Sequence, residues 1–102
     1  MIVHCVMFKW KPDAPKEDIA RDFEELRALK PKIKSIREIY CGENFSQYGR
    51  GYTHAVIVFT DDVAGLDEFR NHPDHLVVAK RVLSMKEALM TVDIDIEAPF
   101  EK

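Results

Sequence analysis

Hydrophobic positions in this chain fall into short two-sided runs separated by helical stripes. Ile2 to Trp10 (IVHCVMFKW) reads as a strand with apolar residues on both faces. Ile2, Val6, Phe8 and Trp10 share one side with His4, and Val3, Cys5 and Met7 take the other. Lys11-Pro12 ends the run. From Asp13 to Lys30 the apolar spacing changes to about 3.6, through Ile19, Phe23, Leu26 and Leu29, which predicts a helix. Asp13 is its expected cap and Pro15 suits its first turn. Glu17 and Asp18 sit at its positive end, and Pro31 stops it. Ile36 to Phe45 is a second, more mixed strand, where Gly42 suggests a bulge or bend. Ser46 to Gly51 is a turn. Tyr52 to Thr60 is a third strand, with Tyr52, His54, Val56 and Val58 on one side and Ala55, Ile57 and Phe59 on the other. Asp61 or Asp62 caps a helical segment from Val63 to about Arg70, and Asn71-His72-Pro73 interrupts it. Pro73 opens a further helical run to about Leu83. Leu89 to Ile96 is the last strand, with Met90, Val92, Ile94 and Ile96 opposite Leu89, Thr91, Asp93 and Asp95. Phe100 is the one anchor in the tail.

The order β-α-β-β-α-β predicts a ferredoxin-like α+β sandwich: a four-stranded antiparallel sheet with both helical segments on one face. Residues 1–102 form a single domain, since no repeat, low-complexity stretch or linker divides them. The first and third strands should be central, and both are apolar on the face the helices leave open. Val3, Cys5, Met7, Ala55, Ile57 and Phe59 lie there, joined by Met90, Val92 and Ile94. Such a patch in water calls for cover. A second copy packed sheet to sheet about a two-fold axis supplies it, which predicts a homodimer through the helix-free face, a dimeric α/β barrel.

Composition narrows the function. The chain has 102 residues, 46% hydrophobic and 32% charged, with a net charge of -3. An isoelectric point near 5.8 argues against nucleic-acid partners and against anionic membranes. No run approaches the ~20 apolar residues that span a bilayer. The N-terminus has no signal-peptide pattern, and the two cysteines, Cys5 and Cys41, make no disulfide framework, so a cytoplasmic location is expected. There is no Gly-rich phosphate loop, no nucleophile elbow and no zinc-ligand spacing, so neither a cofactor nor a metal is expected.

Candidate chemistry rests on four histidines, His4, His54, His72 and His75. Histidine is the side chain whose unperturbed titration falls near neutral pH, which suits proton transfer. His4 and His54 point to the predicted helix-covered face with Val6, Phe8 and Val56, and Tyr52 is close in sequence. They are either hydrogen-bonded core residues or members of a polar pocket, although antiparallel pairing puts them toward opposite strand ends. His72 and His75 flank the start of a helix. There His72 reads as a cap, and His75 as either a surface residue or an inward-facing general base.

In combination, several of these residues resemble the stress-responsive dimeric α/β-barrel family. The features are His4 with Val6 and Phe8, Gly42-x-Asn44-x-Ser46, Gly51-Tyr52-Thr53-His54, Phe59, Phe69-x-x-His72-Pro73-x-His75, and Asp93 in the last strand. The resemblance implies a ferredoxin-like fold and a homodimer of facing sheets. It also implies a mostly apolar pocket between helices and sheet, able to take a small apolar molecule. Some family members are stress proteins without assigned chemistry. Others are polyketide cyclases, in which the histidine at the position of His75 is the general base and a tyrosine at the position of Phe69 supports it. Phe69 has no hydroxyl to do so. Three functions are therefore carried forward. One is lyase- or cyclase-type proton transfer on a carbonyl compound, with His75 as base. His4, His54 and Asp93 would assist at its oxygen, and Val6, Phe8, Phe23, Tyr52, Val56, Phe69 and His72 would line or flank the pocket. The second is a non-catalytic stress or ligand-binding dimer. The third is an oxygenase-like dimeric barrel.

Overall fold

Strand β1 (Ile2–Trp10) runs through the middle of a four-stranded antiparallel sheet ordered β2-β3-β1-β4. Its companions are β2 (Ile36–Glu43), β3 (His54–Thr60) and β4 (Lys86–Asp95), and three helices follow the chain order α1 (Lys16–Arg27), α2 (Val63–Asn71) and α3 (Pro73–Met85). The computed structural model describes residues 1–97, so the anchor expected at Phe100 lies outside the described residues. The split β-α-β arrangement is the ferredoxin-like α+β fold that the element order predicts. Among the described residues no helix is long and apolar enough to cross a membrane.

Side-chain alternation decides what each sheet face does. Ile2, His4 and Phe8 of β1, Val56 and Val58 of β3, and Ile36 and Ile39 of β2 are buried under the helices. They pack with Ile19, Phe23 and Leu26 of α1, Leu66 and Phe69 of α2, and Val78 and Val82 of α3. On the other face, the register aligns Val3, Cys5 and Met7 with Phe59, Ile57 and Ala55 on one side and with Ile94, Val92 and Met90 on the other. Met90, Val92 and Ile94 are 48%, 42% and 49% exposed, and Tyr40 on β2 is 51% exposed. The apolar face is therefore continuous across β3, β1 and β4 and reaches β2 at Tyr40, opposite Ile57, where Glu38 and Gly42 flank it opposite Phe59 and Ala55.

Several element ends differ from expectation for local reasons. Helix α1 begins at Lys16, and Pro15 is its N-cap residue without a side-chain cap bond. Asp13 instead belongs to a turn closed by the Ala14 amide on the Lys11 carbonyl, so it caps nothing. The helix stops at Arg27, because the Leu29 amide reaches back only to Leu26 O, the Lys30 amide to Arg27 O and the Lys32 amide to Leu29 O. Those tighter turns swing Leu29 and Ile33 into the core at 3% and 1% exposure, ahead of the stop expected at Pro31. Pairing is regular through Gly42, and the register shift in β2 falls between Ile36 and Glu38 instead. Tyr52 precedes β3, and β4 begins three residues early, at Lys86, because Trp10 pairs there.

The Asn44 motif has a plain structural role. Asn44 Nδ2 donates to Tyr52 O at 2.7 Å, and its Oδ1 accepts from the Ser46 amide at 3.0 Å. A Cβ on Gly49 would meet Asn44 Nδ2 at 2.5 Å, so only glycine lets the loop close there. Gly51 takes a φ of 88°, in the left-handed region that glycine enters without strain.

Candidate active site

The α2–α3 junction creates the site. Asp62 caps α2 by accepting from the Gly65 amide at 2.8 Å. His72 then ends α2 and begins α3: its Nδ1 accepts from the Asp74 amide at 3.1 Å, and Pro73 occupies the first position of α3, where its missing N–H costs nothing. His72 is thus a cap, as its position before Pro73 suggested, and it does not line the cavity described next. Breaking the helix there turns the first turn of α3 back over the sheet and brings His75 against Phe69, with ring centroids 4.3 Å apart.

Beneath this turn lies a partly open cavity of about 180 Å³. β1 contributes His4, Val6 and Phe8, β3 contributes Val56, and α1 contributes Leu26. Helices α2 and α3 contribute Phe69, Arg70, His75, Ala79, Val82 and Leu83, and β4 contributes Leu89 and Thr91. The walls are apolar, and the polar side chains are His4, Arg70, His75 and Thr91. Such a pocket, mainly hydrocarbon with a few placed polar groups, has the general form of a small-molecule site.

Two histidines meet there in different settings. His75 Nδ1 lies 3.0 Å from Arg70 O. A carbonyl only accepts, so Nδ1 carries the proton and the neutral ring keeps its lone pair on Nε2. Burial lowers the His75 pKa, the Arg70 hydrogen bond opposes this, and the charges of His4 and His72 lower it further. Nε2 has no partner among the described residues. His4 sits across Phe69, their rings 6.2 Å apart edge to face. Its side chain is 9% exposed, and its Nδ1 lies 2.5 Å from Asp93 Oδ1. Asp93 projects from β4 opposite His4 because the register pairs those two residues directly. Its other oxygen accepts from Arg70 Nη1 at 3.4 Å. This Arg70–Asp93–His4 chain fixes the ring that faces His75.

His54 is elsewhere. It pairs with Phe8 at the far end of the sheet, whereas His4 pairs with Val58. It lines a separate cleft with Trp10, Phe23, Lys16, Arg27, Cys41 and Thr53. Trp10 Nε1 donates to His54 Nδ1 at 2.9 Å, and Thr53 Oγ1 lies 2.9 Å from the same nitrogen. An indole can only donate, so His54 is neutral at Nδ1. Burial lowers its pKa, against the raising effect of Glu43. Cys41, in the same cleft, has its thiol pushed up to about 11 by burial and donates to Phe23 O. It remains a protonated thiol and not a nucleophile.

Of the residues singled out in the sequence, His4, Val6, Phe8, Val56, Phe69 and His75 line the cavity, and Asp93 supports it through His4. Phe23 and His54 line the second cleft, and Tyr52 lines neither. Sequence reasoning missed Arg70, Thr91 and the α3 residues Ala79, Val82 and Leu83. The period of α3 marks its apolar residues only as core. In the sequence Arg70 marks only the approximate end of a helical segment. Among the described residues, no group of three or more His, Cys, Asp and Glu side chains is disposed to hold a metal ion.

Comparison with known proteins agrees with this architecture. The family described as the stress responsive A/B barrel domain matches residues 2–96. Olivetolic acid cyclase of Cannabis sativa is 27% identical over 97 residues, covering 90% of this chain and 93% of that protein. The hydroxynitrile lyase of Passiflora edulis superposes with a TM-score of 0.85 at 20% identity, over 98% of this chain and 96% of that one. A dimeric protein of unknown function with a ferredoxin-like fold, from Bacteroides fragilis, superposes with a TM-score of 0.76 at 27% identity, over 93% of this chain and 95% of that one. With a match from the first strand to the end of the last, this chain belongs to the stress-responsive A/B barrel domain family.

Proposed function

We propose that this chain is a homodimeric enzyme of lyase or cyclase type, which moves a proton on a small, mostly apolar carbonyl compound. The observation that carries this is the neutral His75 ring, tied to Arg70 O through Nδ1, with Nε2 left as a free base in an apolar cavity opposite His4–Asp93. Nε2 takes the proton from the carbon next to the carbonyl, and the electron pair moves onto the carbonyl oxygen. When His4 is an imidazolium, Nδ1 donates to Asp93 and Nε2 to that oxygen, stabilising the charge as it develops. Burial favours this chemistry, because it keeps His75 unprotonated and able to act near neutral pH. His54 takes no part, since its Nδ1 is engaged by Trp10 outside the cavity. Kinship with a cyclase and fold likeness to a hydroxynitrile lyase support the reading.

The dimer rests on the open face, where Met90, Val92 and Ile94 stay about half exposed in the single chain, and on the dimeric Bacteroides fragilis relative. A ligand-binding dimer without turnover is the second reading. Phe69 favours it, because the ring packed on His75 offers no hydroxyl to the base.

Hydrogen–deuterium exchange next to the carbonyl, followed by proton NMR over a panel of apolar ketones and keto acids, separates the two. The enzyme reading predicts exchange that falls by about a hundred-fold or more in His75→Gln, the scale of a lost general base. Exchange at the wild-type rate in His75→Gln, or no exchange by the folded dimer with any bound panel member, would overturn it.

A further inference from the structure

Among the residues lining the cavity, Arg70 is the one permanent cation. Its position is built rather than incidental. Nη1 donates to Asp93 Oδ2 at 3.4 Å and Nη2 to Asp67 Oδ1 at 3.3 Å, while its own carbonyl holds His75. A guanidinium has five N–H donors in one plane. Two are engaged, which biases the orientation of the plane, and the others have no partner among the described residues.

The two carboxylates hold that charge loosely. Asp67 is 57% exposed, so its attraction is screened by solvent. Asp93 is shared, because its closer contact is the 2.5 Å one to His4. Both Arg70 contacts, at 3.4 and 3.3 Å, are longer than ordinary N–H···O hydrogen bonds. The guanidinium, 41% exposed at the cavity mouth, therefore keeps capacity for a further anion in a direction its neighbours have already set. The rest of the wall, including Val6, Leu26, Val82 and Leu83, offers only hydrocarbon. Apolar walls with one oriented cation at the rim suit a ligand with an apolar body and a carboxylate at one end. A neutral ligand of the same shape would gain the apolar burial and nothing from Arg70.

We propose that the substrate is a carboxylate-bearing apolar carbonyl compound, a keto acid, and that Arg70 reads the carboxylate while His75 addresses the carbon beside the carbonyl. This rests on the proton-transfer reading of the same cavity. Arg70 thus sets specificity at the same end of the site where its backbone orients the base.

The test uses hexanoate and 1-hexanol as matched probes, titrated into the wild-type dimer and into Arg70→Met and Arg70→Lys, with the His4 and His75 imidazole signals as reporters. Wild type is expected to bind hexanoate about ten- to a hundred-fold more tightly than hexanol, the scale of a hydrogen bond to a charged group. Arg70→Met erases that preference while hexanol binds as before, which shows the cavity intact, and Arg70→Lys keeps part of it. Raising the salt weakens hexanoate and spares hexanol in wild type, so the charge is tested even if Arg70→Met fails to fold. Equal wild-type affinity for the two probes, or a hexanoate preference that survives in Arg70→Met, overturns the carboxylate assignment alone. Failure of both probes to shift either histidine in wild type overturns the cavity reading together with it.

Discussion

Removing the Asp93 carboxylate tests whether the site holds His4 in place. The side chain of His4 is 9% exposed, and without Asp93 its Nδ1 loses the acceptor it has among the described residues. A buried donor left unpaired costs about 1–3 kcal/mol. The lost Arg70 contact adds little, because both groups are more than a third exposed and such pairs contribute only ~0–1 kcal/mol. Asp93→Ala is therefore expected to destabilise the protein by about 2–3 kcal/mol. For a domain of this size that lowers Tm by roughly 8–20 °C. Asp93→Asn keeps an oxygen acceptor of the same reach and should cost about 1 kcal/mol, the difference between a charged and a neutral hydrogen bond. Urea unfolding of the three proteins at one fixed concentration measures both values, since stability of a dimer depends on concentration. The reasoning fails if Asp93→Ala unfolds within about 0.5 kcal/mol of wild type, the range of an ordinary surface substitution.

Three further outcomes are expected. Burial holds the His75 and His54 pKa values below the ordinary 6.5, so below that pH the unfolded chain binds more protons than the folded one. Stability should then be full above about pH 6.5 and decline as pH falls from there toward the lowered values. His75→Gln should flatten part of that decline, read as urea midpoints across the range. Val92→Lys on the open face costs little within a single chain, where Val92 is 42% exposed, but it would bury an ammonium between facing sheets. Sedimentation should show it as a folded 11.8 kDa monomer beside a wild-type dimer, and an unchanged dimer would place the interface elsewhere. Asp62→Ala removes the α2 cap and should cost about 1 kcal/mol while raising amide exchange in the turn that carries Phe69 and Arg70. Unaltered exchange there would show that α2 does not depend on its cap.

Much of this was legible in the sequence because alternation and helical period are strong signals where both ends of an element are punctuated. The two-sided runs at Ile2–Trp10 and Tyr52–Thr60 gave central strands, and with them the open apolar face. Pairing of His4 with Asp93 was partly legible too, since both fall on the helix-covered face of their strands. What pattern could not supply was register. His4 and His54 share a face, and antiparallel pairing already put them toward opposite strand ends, but only the residue-by-residue pairing assigns them to different cavities. Helix ends failed for a related reason. Asp13 is a good capping residue by type, but the turn at Lys11–Ala14 claims it first. Arg70 escaped notice because its importance lies as much in its backbone carbonyl as in its side chain, and no sequence pattern marks a carbonyl as an acceptor for a histidine five residues on.

The central claim is that His75 is a neutral base whose free nitrogen is Nε2. Long-range proton–nitrogen NMR of the ¹⁵N-labelled imidazoles reads this directly. The account predicts a His75 ring protonated at Nδ1 and bare at Nε2 at neutral pH, titrating below the ordinary 6.5. A proton on Nε2 in the neutral ring, or a titration at or above that value, would contradict it.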